Sequence, residues 1–239
     1  MDAAATVGDE RDPLMRQQFH TDLEHLDGQL VDMTRLAADA LRDATRSLLE
    51  GDLALAEKVI TDDAAIDSSQ RDVDERAVEL LARQAPVATD LRVVVAGLRM
   101  SSTIERMGDL ARHVAQLARL RYPARVVPDD LVPLVTEMSA AGVRLATKAG
   151  EVIASRDLEV AAQMEPDDDA LDTLHRKVFE ALADPSWAHP TQTAVDITLL
   201  SRYLERFGDH AVSLSERVQF LVTGQWDLAA DGAATTHPS

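Results

Sequence analysis

The sequence predicts an all-α protein of two tandem antiparallel three-helix bundles related by internal duplication. Hydrophobic residues make up 46% of the 239 residues and aromatic residues only 3%, which is typical of a helical core of leucine, alanine, valine and isoleucine. Apolar positions recur at alternating steps of three and four residues, as they do on one face of an α-helix. The motif IERMGD at 104–109 returns as LERFGD at 204–209, which indicates duplication.

Three helices are predicted in the first half. Gly51 ends the first helix, and Asp52 is the expected N-cap of the second. Pro86 separates the second helix from the third, which ends before Pro123. The predicted spans are about 19–50, 52–83 and 89–122.

The second half repeats this organisation. Asp157 is the expected N-cap of a middle helix, and the sequence DPSWAHP separates that helix from the last one. The predicted helical spans are about 130–155, 157–183 and 191–223. The predicted domain organisation is an unstructured tail at 1–14, a first bundle at 15–122, a linker at 123–130, a second bundle at 131–224 and an unstructured tail at 225–239.

The doubled motif places two acidic residues four positions apart on one helix face. In the first copy these are Glu105 and Asp109, and in the second they are Glu205 and Asp209. Each like-charge pair destabilises a helix by a few tenths of a kcal/mol, roughly 0.2–0.5. The intervening glycine costs about 1 kcal/mol relative to alanine. A locally unfavourable sequence that occurs twice indicates a function.

The second and fifth predicted helices carry matching acidic pairs, so four carboxylates converge in each half if the helices pack antiparallel. Such a cluster opposes folding unless it binds a cation. Oxygen ligands suit magnesium, manganese, calcium or ferric iron, and zinc is also compatible. Gly108 and Gly208 leave room for an ion, its waters or a close helix. The predicted metal ligands are Glu105, Asp109, Glu205, Asp209, Asp63, Asp67, Asp168 and Asp172.

An alternative interpretation of these acids is a solvated face with Arg106, Arg112 and Arg206 as local ion-pair partners. Further candidates for metal or partner contact are Asp74, His113 and Arg92. Asp74 extends the acidic stripe, His113 follows Asp109 by four residues, and Arg92 anchors the start of the third helix or contacts a partner.

Charge and composition exclude several functions. The chain has 42 acidic and 24 basic residues and a net charge of −18, so it repels nucleic acid and favours basic partners. It has no cysteine, which excludes thiolate metal sites and cysteine nucleophiles. We find neither a signal peptide nor an apolar run of membrane-spanning length, so a cytoplasmic protein is predicted.

The motifs PVATDLR at 86–92, IERMGDLA at 104–111 and YLERFGDHAV at 203–212 resemble those of the PhoU family. The resemblance implies tandem three-helix bundles with ExxxD motifs that bind metal ions or iron clusters in some members. It also implies a negative regulator that links the ATPase subunit of a phosphate ABC transporter to a phosphate-sensing histidine kinase. A homodimer is expected, with membrane contact only through partners and with iron, manganese, magnesium or zinc as the metal.

Three alternatives have different consequences. A metal-free scaffold would use the same acids to dock partners. A carboxylate-bridged di-metal enzyme generally needs two ExxH motifs, and this chain has none. A DNA-binding repressor needs a basic surface that the composition does not provide. We therefore predict a regulator rather than an enzyme.

Overall fold

A computed structural model describes residues 13–84, 86 and 89–225. Within these residues the chain is helical and contains no β-strand, which confirms the predicted fold class. The helices are α1 Pro13–Glu50, α2 Leu53–Gln84, α3 Thr89–Arg121, α4 Val132–Ser155, α5 Leu158–Ala162, α6 Met164–Ala183 and α7 Thr191–Thr223.

The helix boundaries of the first half agree with the predicted ones at the α1–α2 turn. Gly51 has a positive φ of 71°, a backbone conformation that glycine adopts without strain. Asp52 caps α2, because its Oδ1 accepts a hydrogen bond of 3.0 Å from the amide of Leu55. At the other end, α1 begins at Pro13, earlier than predicted, so residues 13 and 14 belong to a helix rather than to the predicted tail. The remainder of that tail, and the other tail beyond Gln225, lie outside the described residues.

The single middle helix predicted for the second half is wrong, because the structure divides it into α5 and α6. Asp157 does cap α5, as its Oδ1 accepts a hydrogen bond of 2.8 Å from the amide of Glu159. The helix then breaks at Gln163. Pro166 explains the break, since it has no amide hydrogen to donate to Ala162 and its ring clashes with that carbonyl group.

The helices form two layers around a continuous hydrophobic core. In the inner layer α1 packs on α3 and α4, and α7 packs on the same two helices. In the outer layer α2 covers α1 and α3, while α6 covers α4 and α7. Leu30, Met107, Leu145 and Phe207 are fully buried between them. The acidic residues therefore lie on two antiparallel outer pairs, α2 with α3 and α6 with α7.

Residues 123–130 connect α3 to α4 and contain no helix. Val126 and Val127 within this segment are buried against the core. The assignment of this segment as a boundary between two domains stays a prediction. Across the described part of the chain, every helix is too polar or too short to cross a lipid bilayer.

Candidate metal site

Three carboxylates of the second half converge where α6 packs against α7. Asp172 comes from α6, and Glu205 and Asp209 come from α7. One carboxylate oxygen from each residue lies within 4.8 Å of the other two. Glu205 is buried, whereas Asp172 and Asp209 are exposed at the edge. Among the described residues this group alone has the spacing of a metal site, and its three oxygens suit a hard cation.

Three carboxyl groups at this site, those of Asp168, Glu205 and Asp209, have raised pKa values. Burial first, and then the charges of Asp209 and Asp172, raise the pKa of Asp168 to about 7. Burial and Asp209 likewise raise the pKa of Glu205 to about 7, against the lowering effect of Arg202. The pKa of Asp209 is also raised, first by burial and then by Asp172. A bound cation would stabilise the ionised form of all these groups.

The protein supplies only part of the hydrogen bonding that Glu205 requires. Arg202, one turn earlier on α7, forms an ion pair with its Oε1. The other oxygen, Oε2, is buried and has no hydrogen-bond partner. An unsatisfied buried carboxylate oxygen costs free energy, so the site fits a cation that Oε2 would bind.

The first half places the equivalent acids around an arginine. Arg112 donates from Nη1 to Oδ2 of Asp63 at 2.7 Å, and its Nη2 forms an ion pair with Asp109. Asp63 is buried, with 6% of its surface exposed. Asp67 and Glu105 lie close enough that Asp67 contributes to the raised pKa of Glu105, after burial and Asp109. The guanidinium group therefore provides a positive charge beside two acids of the first half.

The two halves differ here because Val212 stands at the position equivalent to Arg112. Valine cannot neutralise Asp168 and Asp209, which correspond to Asp63 and Asp109. The geometry therefore supports the predicted ligands of the second half better than those of the first half. Arg202, which binds Glu205, was not predicted, although its spacing of three residues from Glu205 was visible in the sequence.

The glycines of the two motifs allow close helix packing. A methyl group on Gly108 would lie 2.8 Å from Cδ1 of Ile66 and 3.2 Å from Oδ1 of Asp63. On Gly208 it would lie 2.5 Å from Cδ2 of Leu171, 2.9 Å from Oδ1 of Asp168 and 3.2 Å from Cδ1 of Leu145. Each glycine thus brings an aspartate of the neighbouring helix, the buried Asp63 or the half-buried Asp168, against its own backbone.

We expect Gly208→Ala to destabilise the protein by up to about 2 kcal/mol. Overpacking of the fully buried Leu171 and Leu145 costs about 1–3 kcal/mol, against about 1 kcal/mol gained in helix propensity. Gly28→Ala on α1 is the matched control, because nothing lies within 4 Å of its added methyl group, and it should stabilise by about 1 kcal/mol. Urea unfolding would measure both changes, and equal stabilisation by the two substitutions would contradict the close packing.

We also expect the metal-free protein to lose stability as the pH rises through 7. Asp168 and Glu205 have folded-state pKa values of about 7, above their ordinary values of 3.8 and 4.5. Their protonated forms therefore stabilise the folded state at low pH, and this contribution disappears as the pH rises from about 4 to above 7. In EDTA, Asp168→Asn with Glu205→Gln should raise the melting temperature more at pH 8 than at pH 5.5. Equal gains at the two pH values would refute the assignment.

The three additional candidates lie outside the carboxylate cluster. The Asp74 carboxylate accepts a hydrogen bond of 3.4 Å from Ser101. The His113 ring packs on Tyr203 of α7, with the ring centroids 5.3 Å apart. Arg92 donates to Oγ1 of Thr89 at 3.1 Å at the start of α3.

These features define a class of protein: a duplicated, acidic helical bundle with a carboxylate cluster on each outer helix pair. A family model described as the PhoU domain matches residues 30–118 and 135–218. The chain belongs to the PhoU family, as its motifs predicted.

Curated relatives match over nearly their full length. The phosphate-specific transport system accessory protein PhoU homolog 1 of Mycobacterium leprae is 46% identical over 212 residues, covering 89% of this chain and 96% of the relative. PhoU homolog 2 of Mycobacterium tuberculosis is 46% identical over 210 residues, covering 88% and 99%. Because these relatives are named as accessory proteins, they support the prediction of a regulator rather than an enzyme.

A solved structure has the same fold. The crystal structure of PhoU from Pseudomonas aeruginosa matches with a TM-score of 0.75 and 27% sequence identity, covering 87% of this chain and all of that one. The PhoU structure from Streptococcus pneumoniae matches with a TM-score of 0.78 at 22% identity, which shows the fold alone.

Proposed function

We propose that this chain is a cytoplasmic negative regulator of phosphate uptake and of the phosphate-starvation response. It acts as an adaptor between the ATPase subunit of a phosphate ABC transporter and a phosphate-sensing histidine kinase, and it reaches the membrane only through them. The observation that carries the proposal is the nearly full-length similarity to phosphate-specific transport system accessory proteins. The adaptor is proposed to act as a homodimer.

A deletion experiment tests the regulatory role. In the bacterium that carries this gene, deletion should switch on a phosphate-starvation reporter in phosphate-rich medium, and a plasmid copy should switch it off again. A reporter that stays off after deletion would refute negative regulation. Binding of the purified chain to the purified ATPase subunit and to the cytoplasmic part of the kinase tests the adaptor role directly.

We further propose that the second half binds one metal ion through Asp172, Glu205 and Asp209, with Asp168 as a neighbouring acid. The donor set is all oxygen and suits iron, manganese or magnesium, with zinc compatible. Such an ion would neutralise the cluster and hold α6 against α7. The unpartnered Oε2 of Glu205 is the observation that supports this proposal most directly.

The metal-free scaffold is the second candidate, and the ion pair between Arg202 and Glu205 favours it. In that case Asp172 and Asp209 would dock a basic surface of a partner. The variant Asp172→Asn with Asp209→Asn separates the two candidates, since it removes charge at nearly constant shape. Loss of metal-induced stabilisation supports ligation, whereas weaker partner binding in chelator supports the scaffold.

A further inference from the structure

A groove of about 250 Å³ lies between the N-terminal part of α3 and the C-terminal part of α7, away from the carboxylate clusters. Its lining is mostly apolar and includes Leu91, Val95 and Phe220. The three charged residues in the lining are all arginines, namely Arg92, Arg99 and Arg217. Three cations around one groove are unexpected in a chain with a net charge of −18.

Within the part of the chain that the structure describes, these arginines have few compensating contacts. Arg92 donates to the neutral hydroxyl group of Thr89. Among the described residues, the buried Nε of Arg217 has no hydrogen-bond partner. Burial and then the nearby Arg99 lower the pKa of Arg217, and Glu216 opposes them. Arg99 and Arg217 both line the groove, and their like charges repel each other.

The internal duplication provides a reference for this arrangement. At the opposite end of the α3–α7 pair, the buried Asp196 accepts two hydrogen bonds from Arg121, of 2.6 and 2.8 Å. Gln192 donates a third, of 3.0 Å. That end of the helix pair therefore contains its own carboxylate, which is only 3% exposed.

The internal duplication makes the groove equivalent to the end that contains Asp196. The groove, however, lacks the equivalent carboxylate. Ala96 stands at the position equivalent to Asp196, and Arg92 stands at the position equivalent to Gln192. The end that contains Asp196 also has Leu117 and Leu199. At the equivalent positions the groove has Arg217 and Arg99. The duplication thus contains one end with the buried carboxylate Asp196 and one end where Ala96 takes its place and arginines line a groove.

The cationic character continues along the same helix pair. Arg92, Arg99 and Arg106 are seven residues apart, which places them on one face of α3. A carboxylate from another molecule would find several positive groups here at once.

We propose that this groove binds an acidic segment of a partner protein, whose carboxylates pair with Arg99 and Arg217 and whose apolar side chains cover Leu91 and Val95. The proposal rests on the adaptor function and specifies the chemistry of one contact. It predicts an acidic contact segment, although the net charge of the chain favours basic partners. An apolar lining with cations fits a segment that combines both kinds of side chain.

Paired substitutions test the groove with the purified ATPase subunit and the purified cytoplasmic part of the kinase as probes. Arg99→Gln with Arg217→Gln should weaken binding of at least one of them about tenfold or more. Arg35→Gln with Arg83→Gln removes the same charge from exposed positions on α1 and α2, where the side chains are 71% and 73% exposed. This control should change binding less than about twofold.

Cross-linking identifies the occupant of the groove. Because the chain has no cysteine, Leu91→Cys, at a position 41% exposed, provides a single site for a benzophenone label. Val78→Cys on α2, at a position 60% exposed, is the control. The Leu91→Cys chain should cross-link to a partner segment rich in aspartate or glutamate, and the control should not.

Several results would overturn the proposal. If the partners bind but the arginine substitutions act no more strongly than the control pair, the groove is not the contact. Cross-links to a neutral or basic partner segment, to a second copy or to residues 226–239 would assign the groove to another occupant. If neither partner binds the unmodified chain, the adaptor function fails first, and the groove proposal fails with it.

Discussion

Replacing Arg121 by leucine is expected to lower the melting temperature by roughly 10 °C. Arg121 makes two hydrogen bonds to Asp196, whose carboxylate is buried between α3 and α7. Without the guanidinium group, only Gln192 remains as a donor to a buried negative charge. Breaking a buried ion pair from one side is far more costly than removing both partners, because an uncompensated charge stays behind.

The duplication supplies the matched control for this prediction. The double variant Arg121→Leu with Asp196→Ala installs the residues found at the equivalent positions, Leu221 and Ala96. We expect it to regain most of the lost stability, since it leaves no buried charge unpaired. Circular dichroism melts of the wild type, the single variant and the double variant make the comparison. A double variant as unstable as the single one would show that Arg121 stabilises by packing alone.

Metal binding is expected to have the second large effect on stability. Only the second half of the chain should bind the metal. Iron, manganese, magnesium or zinc should stabilise the wild type by about 2.7 kcal/mol when the free ion is at about 100 times its Kd. The variant Asp172→Asn with Glu205→Gln should lose this response. In EDTA the same variant should be more stable than the wild type, because it removes like charges that repel one another.

The first half contains the corresponding control. Asp67→Asn with Glu105→Gln makes the same chemical change at the equivalent positions of α2 and α3. Because Arg112 already compensates Asp63 and Asp109, this variant should keep the metal response of the wild type. An equal loss of response in both double variants would contradict the assignment to one half.

Most of the fold was predictable from the sequence because its signals are local. Asp52 and Asp157 cap helices through their own backbone neighbours, and Gly51 ends a helix through its φ angle. The division of the middle helix of the second half was also a local signal that the prediction missed. Pro166 was visible in the sequence, but a single helix was predicted across it.

The candidate site was predictable in its residue types but not in its difference between halves. The four-residue spacing identified the acids, and antiparallel packing predicted which pairs face each other. The contrast between Arg112 and Val212 is visible when the two motif copies are aligned. The neutralisation of the first-half acids was not visible in the sequence, because it depends on Arg112 contacting Asp63 on another helix. The α3–α7 groove depends on tertiary structure in the same way.

The most direct test of the central claim is a count of metal ions per chain after loading and removal of free ions, in three proteins that differ at equivalent positions. We expect one ion in the wild type, none in Val212→Arg, where the new guanidinium group would pair with Asp168 and Asp209, and two in Arg112→Val. A wild type that binds two ions, or a count unchanged by both substitutions, would contradict the claim that this arginine decides which half binds metal.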